Sequence, residues 1–176
     1  TQKYYRSRPL NMLGFLVGHE GKGSLLSLLK EEGLASGLSA GGGDSTSSYT
    51  SFNINIQLTP KGLKRYTKVI ERTFQYLRLL REKSLPRYVY EEVRRMAEID
   101  YRFAEKTGGT RLVNMFSLLM QIYPLRSVES TPFLISEYRP RLFDSMLFRL
   151  IPENMLALLA AKDLETDQTE KYYGTE

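Results

Sequence analysis

The sequence predicts an α+β fold, a two-layer sandwich in which a mostly antiparallel sheet packs on several helices. Phe52, Ile54, Ile56 and Leu58 alternate with Asn53, Asn55 and Gln57, the period-two pattern of a strand with one buried face. Helical apolar spacing, punctuated by caps and prolines, recurs on both sides of that strand. With 176 residues, one domain can bury about two thirds to 70% of its unfolded surface, so a sizeable core is expected.

Pro9 fits the first turn of a helix whose apolar positions Leu10, Leu13, Phe15, Leu16 and Val17 lead into Gly18. After the His19 to Gly23 turn, Ser24 opens a second short helix that Gly33 stops. Leu34 to Gly41 has small side chains and reads as a strand with an approachable backbone, and Gly41 to Ser48 reads as a turn by composition. With Phe52 to Leu58 it makes a hairpin.

Thr59-Pro60 caps a long helix expected to run to about Lys83, with Leu63, Tyr66, Ile70, Phe74 and Leu77 as its apolar stripe. Tyr90, Val93, Ala97 and Ala104, with Met96, Ile99 and Phe103 alongside, fit another helix ended near Gly108-Gly109. Leu112 to Tyr123 fits a third. Ser130-Thr131-Pro132 and Arg139-Pro140-Arg141 read as further helix starts, the second carrying Leu142, Met146, Leu147 and Leu150 at core spacing. Asn154 to Ala161 is a continuously apolar run that reads as a covered strand.

Hydrophobic residues at 41% and charged residues at 26% lie near globular averages, which excludes wholesale disorder. The longest apolar stretches, Met12 to Val17 and Met155 to Ala161, fall far short of a bilayer span, so no membrane partner is expected. The N-terminus lacks both Met and an apolar signal core, and the chain reads as an excerpt from something longer. The absence of cysteine excludes disulfides and thiolate chemistry and is compatible with a cytoplasmic setting. The net charge of +5 permits attraction to acidic partners without specifying one.

The only histidine, His19, stands beside Glu20 in the glycine-rich run Gly18-His19-Glu20-Gly21-Lys22-Gly23-Ser24. A zinc peptidase H-E-x-x-H helix needs a second histidine where this chain has Gly23, and no cysteine or further histidine completes a three-ligand site. The ligand count favours a structural His-Glu turn. The glycines lack phosphate-loop spacing, and Ser24 lies in no nucleophile elbow. Lys61, Lys64, Arg65, Lys68 and Arg72 form a basic stripe that reads first as a solvated helix face and second as a docking surface. No nucleic-acid motif accompanies it. The Leu34 to Gly43 strand can either accept an extended peptide along its edge or pack tightly against a neighbour.

Pro9-x-x-x-Leu13-Gly14-x-Leu16-Val17-Gly18-His19-Glu20-Gly21-Lys22-Gly23-Ser24-Leu25-Leu26-Ser27, then Gly41-Gly42, Leu58-Thr59-x-x-Gly62, Phe74-Gln75-Tyr76-Leu77, Tyr123-Pro124-Leu125, Arg139-Pro140, Pro152-Glu153-Asn154 and Tyr173-Gly174-Thr175 follow in order. Together they closely resemble the insulinase, or pitrilysin-like, family of zinc metallopeptidases, across essentially the whole chain. The resemblance implies the second of four homologous domains without its first strand. It implies a single non-catalytic domain over residues 1–165, with 166–176 beginning a linker to the next domain.

In that family zinc sits on an H-x-x-E-H motif in the first domain, and the motif does not occur here. The resemblance therefore implies no catalytic residue, metal ligand or cofactor in this chain and zinc in the parent's absent catalytic domain. It also implies an exosite that holds the N-terminal end of a peptide substrate. Carried over by position, that exosite comprises Gly14, Phe15, Gly18 and Glu20 on the turn side and Leu38, Ser39, Ala40 and Gly42 on the strand side. The resemblance implies a histidine, a glycine and a glutamine at the positions where this chain has Phe15, Ala40 and Gly42. The expected partners are the other domains of the parent polypeptide and peptide substrates, with a basic interaction or scaffold module docking to another peptidase domain or subunit as the alternative.

Overall fold

A computed structural model describes residues 4–46, 48–105, 108–162, 164 and 167–174. Helices α1 (Pro9–Val17) and α2 (Leu25–Glu31) precede a hairpin of β1 (Ala35–Ser45) and β2 (Thr50–Leu58). Helices α3 (Pro60–Lys64), α4 (Tyr66–Lys83), α5 (Arg87–Arg102), α6 (Gly109–Leu119) and α7 (Pro140–Leu147) follow, with short 3-10 turns at Leu125–Ser127 and Pro152–Asn154.

The expected α+β class is observed: helices cover one face of an antiparallel hairpin. Leu38 pairs with Ile56, Ala40 with Ile54 and Gly42 with Phe52. Ile54 and Ile56 turn toward the helices, whereas Asn53, Asn55 and Gln57 are exposed on the opposite face.

One core cluster joins Met12, Leu13 and Val17 of α1 to Leu77, Leu80, Val89, Tyr90, Phe143 and Leu147. A second joins Leu25, Leu26 and Leu29 of α2 to Leu34, Leu38 and Val69. Ala40, Ile54 and Tyr76 border both, so the hairpin and α4 fuse them into one interior. Burial raises the affinity of the Tyr76 hydroxyl for its proton, and the group donates to the Leu16 carbonyl at 3.1 Å, locking α4 to α1.

The junction between α2, β1 and α3 explains the Leu58-Thr59-x-x-Gly62 motif. Gly33 at φ 69° turns the chain out of α2. The Thr59 hydroxyl donates to the Gly33 carbonyl at 2.7 Å and accepts from the Gly62 amide at 3.0 Å, capping α3. A Cβ at Gly62 would lie 1.8 Å from the Leu34 carbonyl oxygen, so only glycine fits.

Five expectations need correction. The glycines at 41–43 stay in β1, and the chain reverses later, where the Thr46 amide donates to the Tyr49 carbonyl at 2.9 Å; Ser47 lies outside the described residues. The long helix is broken at Arg65 (φ −129°, ψ 33°). Its buried stripe is Val69, Thr73, Leu77 and Leu80, because packing against α1 and α2 selects that face; Ile70 and Phe74 are half-buried and Tyr66 is exposed. Buried Thr73 satisfies its hydroxyl on the Val69 carbonyl at 2.9 Å. Ser130-Thr131-Pro132 starts only turns, not a helix.

The last correction concerns Asn154 to Ala161. The segment is neither a strand nor covered: it has no strand partner among the described residues, and Leu156 and Leu158 are 84% and 88% exposed. Apolar composition records a capacity for burial, whereas a strand also needs a neighbour to take its backbone hydrogen bonds.

Candidate functional site

The turn between α1 and α2 is tied down link by link. The Gly18 amide donates to the Gly14 carbonyl at 2.8 Å and closes α1. The Gly21 amide donates to His19 Nδ1 at 3.1 Å, and the Ser24 amide donates to the Gly21 carbonyl at 3.1 Å. The Ser24 hydroxyl then caps α2 by accepting from the Ser27 amide at 3.1 Å. Ser24 is buried while His19 and Glu20 are exposed, so the turn presents its polar tip outward from an anchored base.

Alpha-helix α1 approaches β1 through Gly14 and Gly18, four residues apart and so on one helix face. A Cβ at Gly14 would stand 3.0 Å from the Ala40 carbonyl oxygen and 3.2 Å from the Gly41 Cα. One at Gly18 would stand 3.5 Å from the Ala40 amide nitrogen. Gly14, Gly18 and Ala40 are therefore brought together. A Cβ at Gly42 would instead rest 3.5 Å from Leu10 Cδ1.

The other sequence-derived positions separate by task. Leu38 is buried with Leu25, Leu26 and Leu29, so its side chain belongs to the interior and only its backbone is available. Ser39 is exposed. Phe15 is half-buried and meets the His19 ring edge-on, with centroids 6.1 Å apart. The sheet contains β1 and β2 alone among the described residues, so the far edge of β1 along Leu38 to Gly42 has no strand partner there.

Sequence reasoning missed Gly41 and Gly21. Gly41 supplies the Cα nearest Gly14, and Gly21 lies beneath the His19 ring. The spacing of Gly14 and Gly18 was the available signal for a close strand.

The basic stripe is only partly free in solvent: Lys61, Lys64 and Arg65 are exposed, and Lys68 and Arg72 are half-buried. Arg72 and Lys68 contact the Glu32 carboxylate, and Lys61 Nζ donates to the Glu32 carbonyl at 2.7 Å. Among the described residues no three His, Asp or Glu side chains are grouped to hold a metal, and no helix is long and apolar enough to cross a membrane.

A family model described as the peptidase M16 inactive domain matches residues 1–96, and one described as the middle or third domain of peptidase M16 matches residues 101–176. The chain belongs to the M16, or insulinase, peptidase family. The two matches meet within the last turns of α5. This M16 chain is 36% identical over 177 residues to insulin-degrading enzyme of Homo sapiens, which covers 99% of the chain and 17% of that protein. It is 34% identical over 181 residues to nardilysin of Homo sapiens, covering 99% of the chain and 16% of that protein.

In three dimensions it resembles a crystal structure of pitrilysin with a TM-score of 0.78 and 26% identity, over 85% of this chain and 16% of that one. The M16 chain thus spans about a sixth of the length of these relatives. The resemblance drawn from the motifs is borne out, as is the α+β class.

Proposed function

We propose that this M16 chain is a non-catalytic part of a zinc metalloendopeptidase, forms part of a chamber around the substrate, and anchors a peptide's N-terminal end beside β1. An extended peptide adds to the open edge of β1 through main-chain hydrogen bonds, and Glu20 receives the terminal ammonium. The observation that supports this reading is the close seating of Gly14 and Gly18, at the base of the Glu20 turn, on Ala40 of β1, a strand whose only strand partner among the described residues is β2. Holding one end of a peptide raises the effective concentration of a distant bond at the reacting centre and fixes the cleavage register.

The family's zinc is not assigned to these residues, because their single histidine and dispersed carboxylates do not fit a zinc ion. In the full-length protein, Glu20→Gln should raise KM for peptides with free N-termini and leave acetylated ones nearly unchanged. Equal effects on both would remove the ammonium role.

A further inference from the structure

We infer that His19 is a positioning residue for peptide capture, acting through Nδ1 as the acceptor that shapes the Glu20 turn; this rests on the proposed anchoring role of Glu20. The Gly21 amide donates to His19 Nδ1 at 3.1 Å, so the ring folds back over the backbone two residues ahead. Glu20 is the residue enclosed by that loop. The fold-back is tight: a Cβ at Gly21 would lie 2.4 Å from His19 Cε1.

The ring is also held from the helix side. Phe15 meets it edge-on at 6.1 Å between centroids. Phe15 lies four residues before His19 and is itself packed on the α1 core. Position is therefore passed from the interior through Phe15 to the imidazole, from Nδ1 to the Gly21 amide, and so to the backbone that carries Glu20.

An acceptor nitrogen bears no hydrogen, so the arrangement needs the neutral imidazole with its proton on Nε2. The loop is the histidine counterpart of an Asx turn, in which an Asn oxygen accepts from the amide two residues on. Asn places its oxygen the same number of bonds from the backbone as Nδ1. Gln places its oxygen one bond further, near where Nε2 stands.

The experiment is a comparison of His19→Asn, His19→Gln and Glu20→Gln in the full-length protein. Steady-state kinetics would use one peptide with a free and an acetylated N-terminus, alongside hydrogen exchange across residues 18–24. His19→Asn should keep Gly21 protected and KM close to the parent value. His19→Gln should lose that protection and raise KM for the free peptide about fivefold, the equivalent of one ordinary hydrogen bond, with kcat and the acetylated peptide little changed.

Equal impairment of the Asn and Gln variants overturns the acceptor role, as does an unchanged KM in His19→Gln. If Glu20→Gln itself leaves the free peptide unaffected, the anchoring reading fails, and the positioning role falls with it. Loss of kcat with both peptides in His19→Gln would mark a general structural defect and also overturn the assignment.

Discussion

Arg72 Nε donates to Oε1 of Glu32 at 2.9 Å, and Nη2 stands 2.6 Å from the same oxygen as an ion pair, fastening α4 to the C-terminal end of α2. Lys68 Nζ stands 3.6 Å from the other carboxylate oxygen, and Lys61 reaches the carbonyl of the same residue. Positive charge at a helix C-terminus is favoured by the aligned peptide dipoles. A stripe that reads in one dimension first as a solvated face, and second as a docking surface, is partly used in internal closure.

The Glu32 carboxyl is held below its ordinary value mainly by the Arg72 hydrogen bond, with the Arg72 and Lys68 charges adding to it against the opposing effect of burial. A carboxyl depressed by folding favours the fold above its unfolded value and loses that contribution as pH falls through the folded one. Amide protection across residues 25–34 should therefore weaken as pH drops through and below the ordinary carboxylate range near 4.5. Arg72→Gln should flatten the dependence when exchange is compared at matched intrinsic rates; an unaltered profile would remove Glu32 as its source.

Lys64 and Arg65 remain exposed beside the closed part of the stripe. Reversing both charges with K64E and R65E should leave assembly and peptide capture unchanged. Loss of assembly on gel filtration, with peptide KM intact, would instead favour the docking-module reading.

Gly62→Ala should cost about 3 kcal/mol or more, because the new Cβ would meet a backbone oxygen that cannot rotate away. Thr59→Ala should cost about 1–2 kcal/mol by uncapping α3 and releasing the Gly33 carbonyl. Urea unfolding midpoints would check the order, and a milder Gly62→Ala than Thr59→Ala would contradict the packing seen at Leu34.

Gly14→Val should push α1 off β1, since even a single methyl would stand 3.0 Å from the Ala40 oxygen. The expected overpacking cost is about 1–3 kcal/mol. In the full-length protein the same change should raise KM for peptides that use the β1 edge. Unchanged capture in a stably folded variant would separate the α1 contact from binding.

Leu13→Ala and Leu26→Ala, one in each core cluster, should each destabilise by about 2–5 kcal/mol, because both side chains are fully enclosed. Their losses should sum only in part, because Ala40, Ile54 and Tyr76 pack against both clusters. Differential scanning calorimetry of the two single variants and the double variant would reveal any coupling.

Local rules made much of this molecule legible in the sequence. Pro9 started α1, Ser24 capped α2, Gly33 ended it, and the Phe52 to Leu58 alternation made β2, because caps, glycines and period-two patterning act within a few residues. The ordered motifs likewise identified the M16 family, and the glycines marked the His19 to Gly23 turn. What the amino-acid order left open were choices between distant partners. Packing buried Val69, Thr73 and Leu80 ahead of Ile70 and Phe74, bound three of the five basic residues to Glu32, and set Gly14 against Ala40. Met155 to Ala161 has the composition of a covered strand, yet it lies open without a neighbouring strand among the described residues. The chain encodes each surface's capacity to bury or pair; the tertiary structure decides which surface meets it, since long-range contacts depend on shape and closure that no local pattern contains.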